Sequence, residues 1–244
     1  MQGEQYRQHI SGQFNAELDA MKNHLLEMGG LVEQQLSRAL EALISRDTGM
    51  ADEVIAADES INAMELRIDD ECSRILARRQ PAASDLRLVL SVAKCTTDLE
   101  RIGDEATKIA RQAVRLAEHP PSPSHYTELR QIGRHVASML REALDAFARL
   151  DVERAIDVVV DDGNVDAEYD SAMRSLVTFM MEDARNIGSV LHEMWALRGL
   201  ERIGDHATNI AEQVVYLVRG LDVRHMERDG LRDAIGAVSG EPRA

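Results

Sequence analysis

The chain has 244 residues, 44% of them hydrophobic but only 3% aromatic, and carries a formal charge of -15 at pH 7. Its length supports a substantial core, and its richness in Ala, Leu, Glu, Arg and Met with few strand-forming aromatics selects an all-α fold. The acidic balance, with Lys22, Lys94 and Lys108 as the only lysines, excludes a nucleic-acid partner and favours cations and basic protein surfaces.

Apolar residues at Phe14, Leu18, Met21, Leu25, Met28, Val32, Leu36, Leu40 and Leu43 follow spacings of three and four, which predicts one long amphipathic helix ending near Arg46. A second helix is expected from about Met50 to Arg79, where Gln80-Pro81 stops it. Ser84 or Asp85 is the expected cap of a third helix that carries Cys95 and fades near Glu118. His119-Pro120-Pro121-Ser122-Pro123-Ser124-His125 then breaks the pattern. Three more helices are predicted at about Tyr126 to Leu150, Val152 to Asp183 and Gly188 to Gly220, after which periodicity is lost. The expected organisation is therefore a three-helix bundle over residues 1–118, a Pro-rich linker over 119–125, a second bundle over 126–220 and a tail over 221–244. Residues 240–244 are expected to be disordered.

Cys72 and Cys95 are phased with apolar neighbours and form no Cys-x-x-Cys, so they read as buried reduced thiols. The polar N-terminus has no apolar leader segment, and no stretch approaches the ~20 apolar residues of a membrane span. A cytoplasmic protein that meets the membrane only through partners is expected.

The two halves repeat one another. Leu99-Glu100-Arg101-Ile102-Gly103-Asp104-Glu105-Ala106-Thr107-Lys108-Ile109-Ala110 returns as Leu200-Glu201-Arg202-Ile203-Gly204-Asp205-His206-Ala207-Thr208-Asn209-Ile210-Ala211, differing only at Glu105/His206 and Lys108/Asn209. At an offset of 104, Gly29, Val32, Ala39, Leu40, Ala42, Asp47, Ala51, Val54 and Asp58 recur as Gly133, Val136, Ala143, Leu144, Ala146, Asp151, Ala155, Val158 and Asp162. The offset falls to 101 before the third helix, which places a three-residue deletion near the second turn, because loops absorb deletions more easily than helices. Two tandem three-helix bundles related by internal duplication fit this pattern.

Helix packing asks only for apolar residues at the right period, so the repeated polar residues need another cause. Glu100 and Asp104 lie one turn apart on the third helix, as do Glu201 and Asp205 on the sixth, roughly opposite the stripe Leu99, Ile102, Ala106, Ile109 and Ala113. Asp58, Asn62, Glu65 and Asp69 form a possible partner stripe on the second helix; the duplicate reads Asp162, Asp166, Tyr169 and Met173. Like charges at i,i+4 each destabilise a helix by about 0.2–0.5 kcal/mol, and keeping that cost twice suggests a compensating cation held by oxygen ligands. With 43 acids in the chain, about seven to eight acid-x-x-x-acid pairs arise by chance, and Asp104 can pair with Lys108 as ordinary surface. Only duplication lifts the pairs above that background.

Arg101 and Arg202 read first as salt-bridge partners for an acid on a neighbouring helix, with phosphate binding the sharper alternative. Gly103 and Gly204 mark close helix contact or the approach of a ligand. His206 is a further candidate ligand, although Glu105 replaces it in the first copy. Neither Gly-x-x-x-x-Gly-Lys-Ser/Thr nor Gly-x-Gly-x-x-Gly is present, and no histidine has Glu three residues before it, which removes the Glu-x-x-His pair of ferritin-like di-iron bundles.

Met28-Gly29-Gly30-Leu31-Val32-Glu33, Arg79-Gln80-Pro81 with Ser84-Asp85-Leu86-Arg87, and both Leu-Glu-Arg-Ile-Gly-Asp strings together resemble the PhoU family of phosphate-uptake regulators, from near His9 to Leu221. The resemblance implies a cytoplasmic, non-enzymatic negative regulator of phosphate uptake and phosphate-starvation signalling. It also implies a homodimer that contacts the ATP-binding subunit of a phosphate ABC transporter and a phosphate sensor histidine kinase. Family acid-x-x-x-Asp motifs bind divalent or trivalent metal ions (Fe, Zn, Mn or Mg), and they map onto Glu100, Asp104, Glu201 and Asp205, with Asp58, Glu65, Asp69, Asp162 and Asp166 as further candidates. Asn62, Tyr169 and Met173 break the symmetry of that pattern. The alternatives are a carboxylate-bridged di-metal helical-bundle enzyme and a scaffold whose acids are merely solvated.

Overall fold

A computed structural model describes residues 2–120, 126–224, 226 and 230, with the side chains of residues 2–11 and 126 left out of the description. Among the described residues there are six α-helices and no strand: α1 (Gln2–Ser45), α2 (Thr48–Arg79), α3 (Ala83–Ala117), α4 (Tyr126–Arg149), α5 (Val152–Glu182) and α6 (Ile187–Arg219), with a 3-10 turn at Ala184–Asn186 before α6. The expected linker is described only as far as Pro120; residues 121–125 lie outside the described residues, as does most of the tail, including 240–244. Each half is a three-helix bundle, and the fold is the duplicated one that the repeat predicts.

Hydrophobic burial drives each helix to its place. Every predicted stripe residue of α1 from Leu18 to Leu43 is buried, as are Leu99, Ile102, Ala106, Ile109 and Ala113 of α3. Cys72 and Cys95 are free and buried. Burial pushes the Cys72 thiol up to about 12 and that of Cys95 well above its ordinary value, so neither offers a thiolate.

The duplication is visible in the corners. Arg46 and Leu150 both take φ 56, closing α1 and α4 in left-handed turns. Asp47 and Asp151 follow them and cap α2 and α5, accepting from the backbone N–H of Met50 at 3.0 Å and of Arg154 at 3.1 Å. The three residues without a counterpart are Gln80–Ala82, the turn between α2 and α3, where the change of offset puts them. The cap of α3 differs from expectation: Ala82 is the N-cap and supplies no side-chain bond, while Ser84 and Asp85 lie inside the first turn. Asp85 there meets the positive end of the helix dipole instead.

The halves join through antiparallel pairs. Across α3 and α6, Asp98 meets His206 at 2.8 Å, Glu105 meets Arg202 at 2.9 Å and Gln112 meets His192 at 2.9 Å, so positions rise on one helix as they fall on the other. Across α1 and α4 a reciprocal exchange holds: Leu144 packs over Gly29 and Leu40 over Gly133, so close that a Cβ on either glycine would fall within 2.7 Å and 2.5 Å of the leucine methyl. Two copies of one glycine–leucine contact define a pseudo-two-fold axis between the bundles.

Candidate functional site

The acidic face of the first half lies where α2 and α3 pack. Burial raises the Glu100 carboxyl above the ordinary carboxylate range, and the negative charges of Asp104, Glu65 and Asp58 raise it further. Glu65 is raised in the same way by burial and by Asp69 and Asp104. The structure thus brings Asp58, Glu65, Asp69, Glu100 and Asp104 into one mutually repelling set. Asp58 is its inner member: Thr107 donates its hydroxyl to Asp58 Oδ1 at 3.2 Å, the Gln35 amide donates to the same oxygen at 3.4 Å, and Asn62 donates to Oδ2 at 3.3 Å. Lys108 lies 3.7 Å from Asp104, the predicted surface pair, but closer to Glu105 at 3.1 Å.

Gln35 was not legible as a site residue, although a glutamine amid the α1 stripe marks it in retrospect. It is only 3% exposed, and its amide oxygen is buried with no hydrogen-bond partner among the described residues. That oxygen lies 3.1 Å from where a Cβ of Gly103 would sit, between Glu100 and Asp104 in sequence, so Gly103 serves close helix contact.

The second half is arranged differently. Glu201 is raised by burial first and then by Asp205 and Asp166, but Arg198 donates to its Oε1 at 2.7 Å and opposes that rise. The Arg198 guanidinium also lies 5.9 Å from the Tyr169 ring centroid, a cation–π contact. Asp162 is buried and sits 3.8 Å from where a Cβ of Gly204 would be, whereas Asp166 and Asp205 are exposed. Met139 occupies the place of Gln35, and Thr97 is the first-half counterpart of Arg198. The second acidic face therefore carries its own cation.

His206 faces Asp98 on α3 rather than a metal site with Asp205. Arg202 bridges to Glu105 on the neighbouring helix, the salt-bridge reading, while Arg101 is exposed. No three His, Cys, Asp or Glu side chains are gathered as a ready metal cage among the described residues. Asp58, Glu65, Asp69, Glu100 and Asp104 offer only oxygen donors, the chemistry that suits a hard cation, and Lys108 already offsets part of their repulsion.

A duplicated all-α protein with a paired acidic face on its third helices, and no described helix long and apolar enough to cross a membrane, is the class these observations define. The model of the PhoU domain matches residues 25–113 and 129–214, one copy per half. The phosphate-specific transport system accessory protein PhoU homolog of Pseudomonas putida is 60% identical over 95% of this chain and 90% of its own length. The PhoU of Escherichia coli is 48% identical over 91% of this chain and 92% of its own. The crystal structure of PhoU from Pseudomonas aeruginosa superposes with a TM-score of 0.84 at 60% identity, covering 85% of this chain and all 100% of that one. The phosphate transport system regulatory protein PhoU from Streptococcus pneumoniae gives 0.80 at 34% identity, covering 86% of this chain and 99% of its own. The chain belongs to the PhoU family.

Proposed function

We propose that this chain is a cytoplasmic, non-enzymatic accessory regulator of a phosphate transport system. It acts as a homodimeric adaptor between the transporter's ATP-binding subunit and a phosphate sensor histidine kinase, and reaches the membrane only through them. The observation that carries the reading is the near full-length identity to relatives named as accessory proteins of phosphate-specific transport, matched in both halves. A divalent or trivalent metal ion, held by Glu100, Asp104, Glu65, Asp69 and Asp58, would neutralise the repulsion on the first acidic face and stiffen the α2–α3 contact. The raised carboxyls of Glu100 and Glu65 support that part.

Co-purification of the tagged chain with the ATP-binding subunit and with the sensor kinase, at high and low phosphate, tests the adaptor. Capture of either partner in a phosphate-dependent manner is the expected result, and failure of both in every condition overturns it. Metal content of protein purified without chelator tests the acidic face. Metal should be present in the parent chain and lost in Glu100→Gln; equal metal in both sinks the metal reading.

A further inference from the structure

The duplication gives two sets of equivalent positions where the third helix of each half, the crossing helix of the other half and the start of the second helix meet, and only the first-half set forms an open groove among the described residues. In the second half the repeat offsets of 101 and 104 put Glu212, Gln213, Val215 and Tyr216 of α6, Ser91 and Lys94 of α3, and Ile156 and Val159 of α5 at the matching positions. In the first half the corresponding positions are Arg111, Gln112, Val114 and Arg115 of α3, His192 and Trp195 of α6, and Asp52 and Ile55 of α2, which enclose about 530 Å³. The two differ in one respect. Glu212, Gln213, Val215, Ser91, Ile156 and Val159 are buried, with Tyr216 half-buried and Lys94 exposed, whereas Arg111, Arg115, Trp195 and Asp52 are exposed and Gln112, Val114, His192 and Ile55 only half-buried.

The chain after α6 comes back to this part of the second half. Gly220 ends α6 in a left-handed turn, and Val223 then returns to the body at only 3% exposure, within the apolar core. Its neighbours Asp222 and Arg224 lie close enough to Glu212 to shift its titration, and Asp222 in turn feels Lys94. A short segment with Val223 buried and Leu221 partly buried against the core, and with Asp222 and Arg224 beside Glu212, therefore lies over this part of the second half. Nothing among the described residues does the same for the first. Its apolar floor of Val114 and Ile55 and its indole, 66% exposed, face outward.

The charges of the first groove also say what would fit. Arg111 stands where Glu212 stands, and Arg115 where Tyr216 stands, so the wall that answers Arg224 in the second groove is cationic in the first. Two exposed arginines beside an open indole stand out on a chain of charge -15. Arg111 has no hydrogen bond or ion pair among the described residues, and Arg115 only a long one to Glu118 at 3.8 Å. Asp52, the one acid on the lining, sits on the opposite α2 wall and gives the groove a direction.

We propose that the groove between α2, α3 and α6 is a docking site for an extended segment of a partner protein that presents an aliphatic side chain followed by a carboxylate, the chain's own Asp222-Val223-Arg224 with only its last charge reversed. The aliphatic group covers Val114 and Ile55, the carboxylate meets Arg111 and Arg115, and the indole of Trp195 closes over the backbone. Binding draws on apolar burial for affinity and on the arginines for selection among segments. None of this involves the acidic face, so it stands or falls apart from the metal reading.

Trp195 is the only tryptophan, which makes it a built-in reporter. The probes are two synthetic pentapeptides, acetyl-Gly-Leu-Asp-Val-Glu-amide and the same peptide ending in Lys, titrated into the full chain in chelator while Trp195 emission is followed. The Glu peptide should give a saturable blue shift with a Kd of roughly 0.1–1 mM, and the Lys peptide should bind at least about tenfold more weakly. Arg111→Glu should reverse that preference, and added salt should weaken the favoured pairing in both proteins. Equal responses to the two peptides, or no saturable shift from either up to roughly ten times the upper expected Kd, would overturn the proposal. An emission shift that follows dilution of the protein with no peptide present would overturn it too, by assigning the groove to a second copy.

Discussion

Glu193 offers a sharp test of how this interior is built, because it is 0% exposed and neither carboxylate oxygen has a hydrogen-bond partner among the described residues. Burial pushes its carboxyl up to about 7 from an ordinary 4.5, against the partial relief given by the Arg46 guanidinium. Between those two values the folded chain holds a proton that the unfolded chain has released, so stability falls as pH rises through that window. Above about pH 7 the full penalty stands, and the gap between 4.5 and about 7 corresponds to about 3 kcal/mol. Replacing Glu193 by Met removes the charge and the unpaired oxygens at similar length. Arg46 then loses a neighbouring anion, though it still donates to the His119 carbonyl at 2.8 Å. The expected net gain at pH 8 is therefore about 1–3 kcal/mol, a rise in Tm of roughly 2–4 °C per kcal/mol for a chain of this size. Urea unfolding in chelator at pH 8, 7, 6 and 5 reads it directly, and the gain should shrink steadily as Glu193 takes up its proton. Glu212, also pushed up to about 7, titrates in both proteins and cancels in the difference. A difference between parent and Glu193→Met that stays constant from pH 8 to pH 5 would refute the reasoning.

The repeated glycines separate by their surroundings. Gly133→Ala should cost about 1–3 kcal/mol, because its Cβ would fall 2.5 Å from a Leu40 methyl, whereas Gly204→Ala, with nothing closer than 3.5 Å, should be neutral or gain up to ~1 kcal/mol of helix propensity. Thermal unfolding of the two variants distinguishes them, and equal losses would contradict the packing. Arg198→Thr, which installs the first-half residue at the matching position, frees Glu201 from its guanidinium and should increase Mn²⁺ uptake per chain by calorimetry at pH 7. Uptake equal to that of the parent would show that Arg198 does not hold that face closed.

Much of the fold was legible because it rests on periodicity and repetition. The α1 stripe from Leu18 to Leu43 and the shared Asp47 and Asp151 caps are local consequences of local residues, and a single offset exposes both. The α3 cap departs from expectation because Ser84 and Asp85 are good cap types, yet after the turn at Gln80-Pro81 the helix starts two residues before a Ser84 cap would begin it, at Ala83. The acids of the first half were found from spacing on two helices that proved adjacent. What spacing could not show is which cross-helix partner each polar group meets. His206 looked like a neighbour of Asp205 but reaches Asp98 on the other half, and Gln35 joins the acidic face only because α1 packs behind α2 and α3. Those are facts of tertiary contact with no local signature.

The departures from symmetry share a direction. In the second half Arg198 bonds to Glu201, Met139 replaces the Gln35 amide, and Val223 returns to the core with its neighbours Asp222 and Arg224 beside Glu212. In the first half the corresponding places are Thr97 with no cation bonded to Glu100 among the described residues, an amide oxygen without a hydrogen-bond partner among them, and an open groove with two exposed arginines. A duplicated pair of bundles begins with two copies of every surface, and each copy left exposed keeps a repulsion or an uncovered apolar floor. Closing both copies would leave a rigid body with no specific surface to offer, while leaving both open would present the same features twice in opposite directions about the pseudo-two-fold axis. Sealing one half from within and leaving the other open gives a single orientation to whatever the protein meets. That asymmetry, more than the repeat itself, is where an adaptor's directionality would reside.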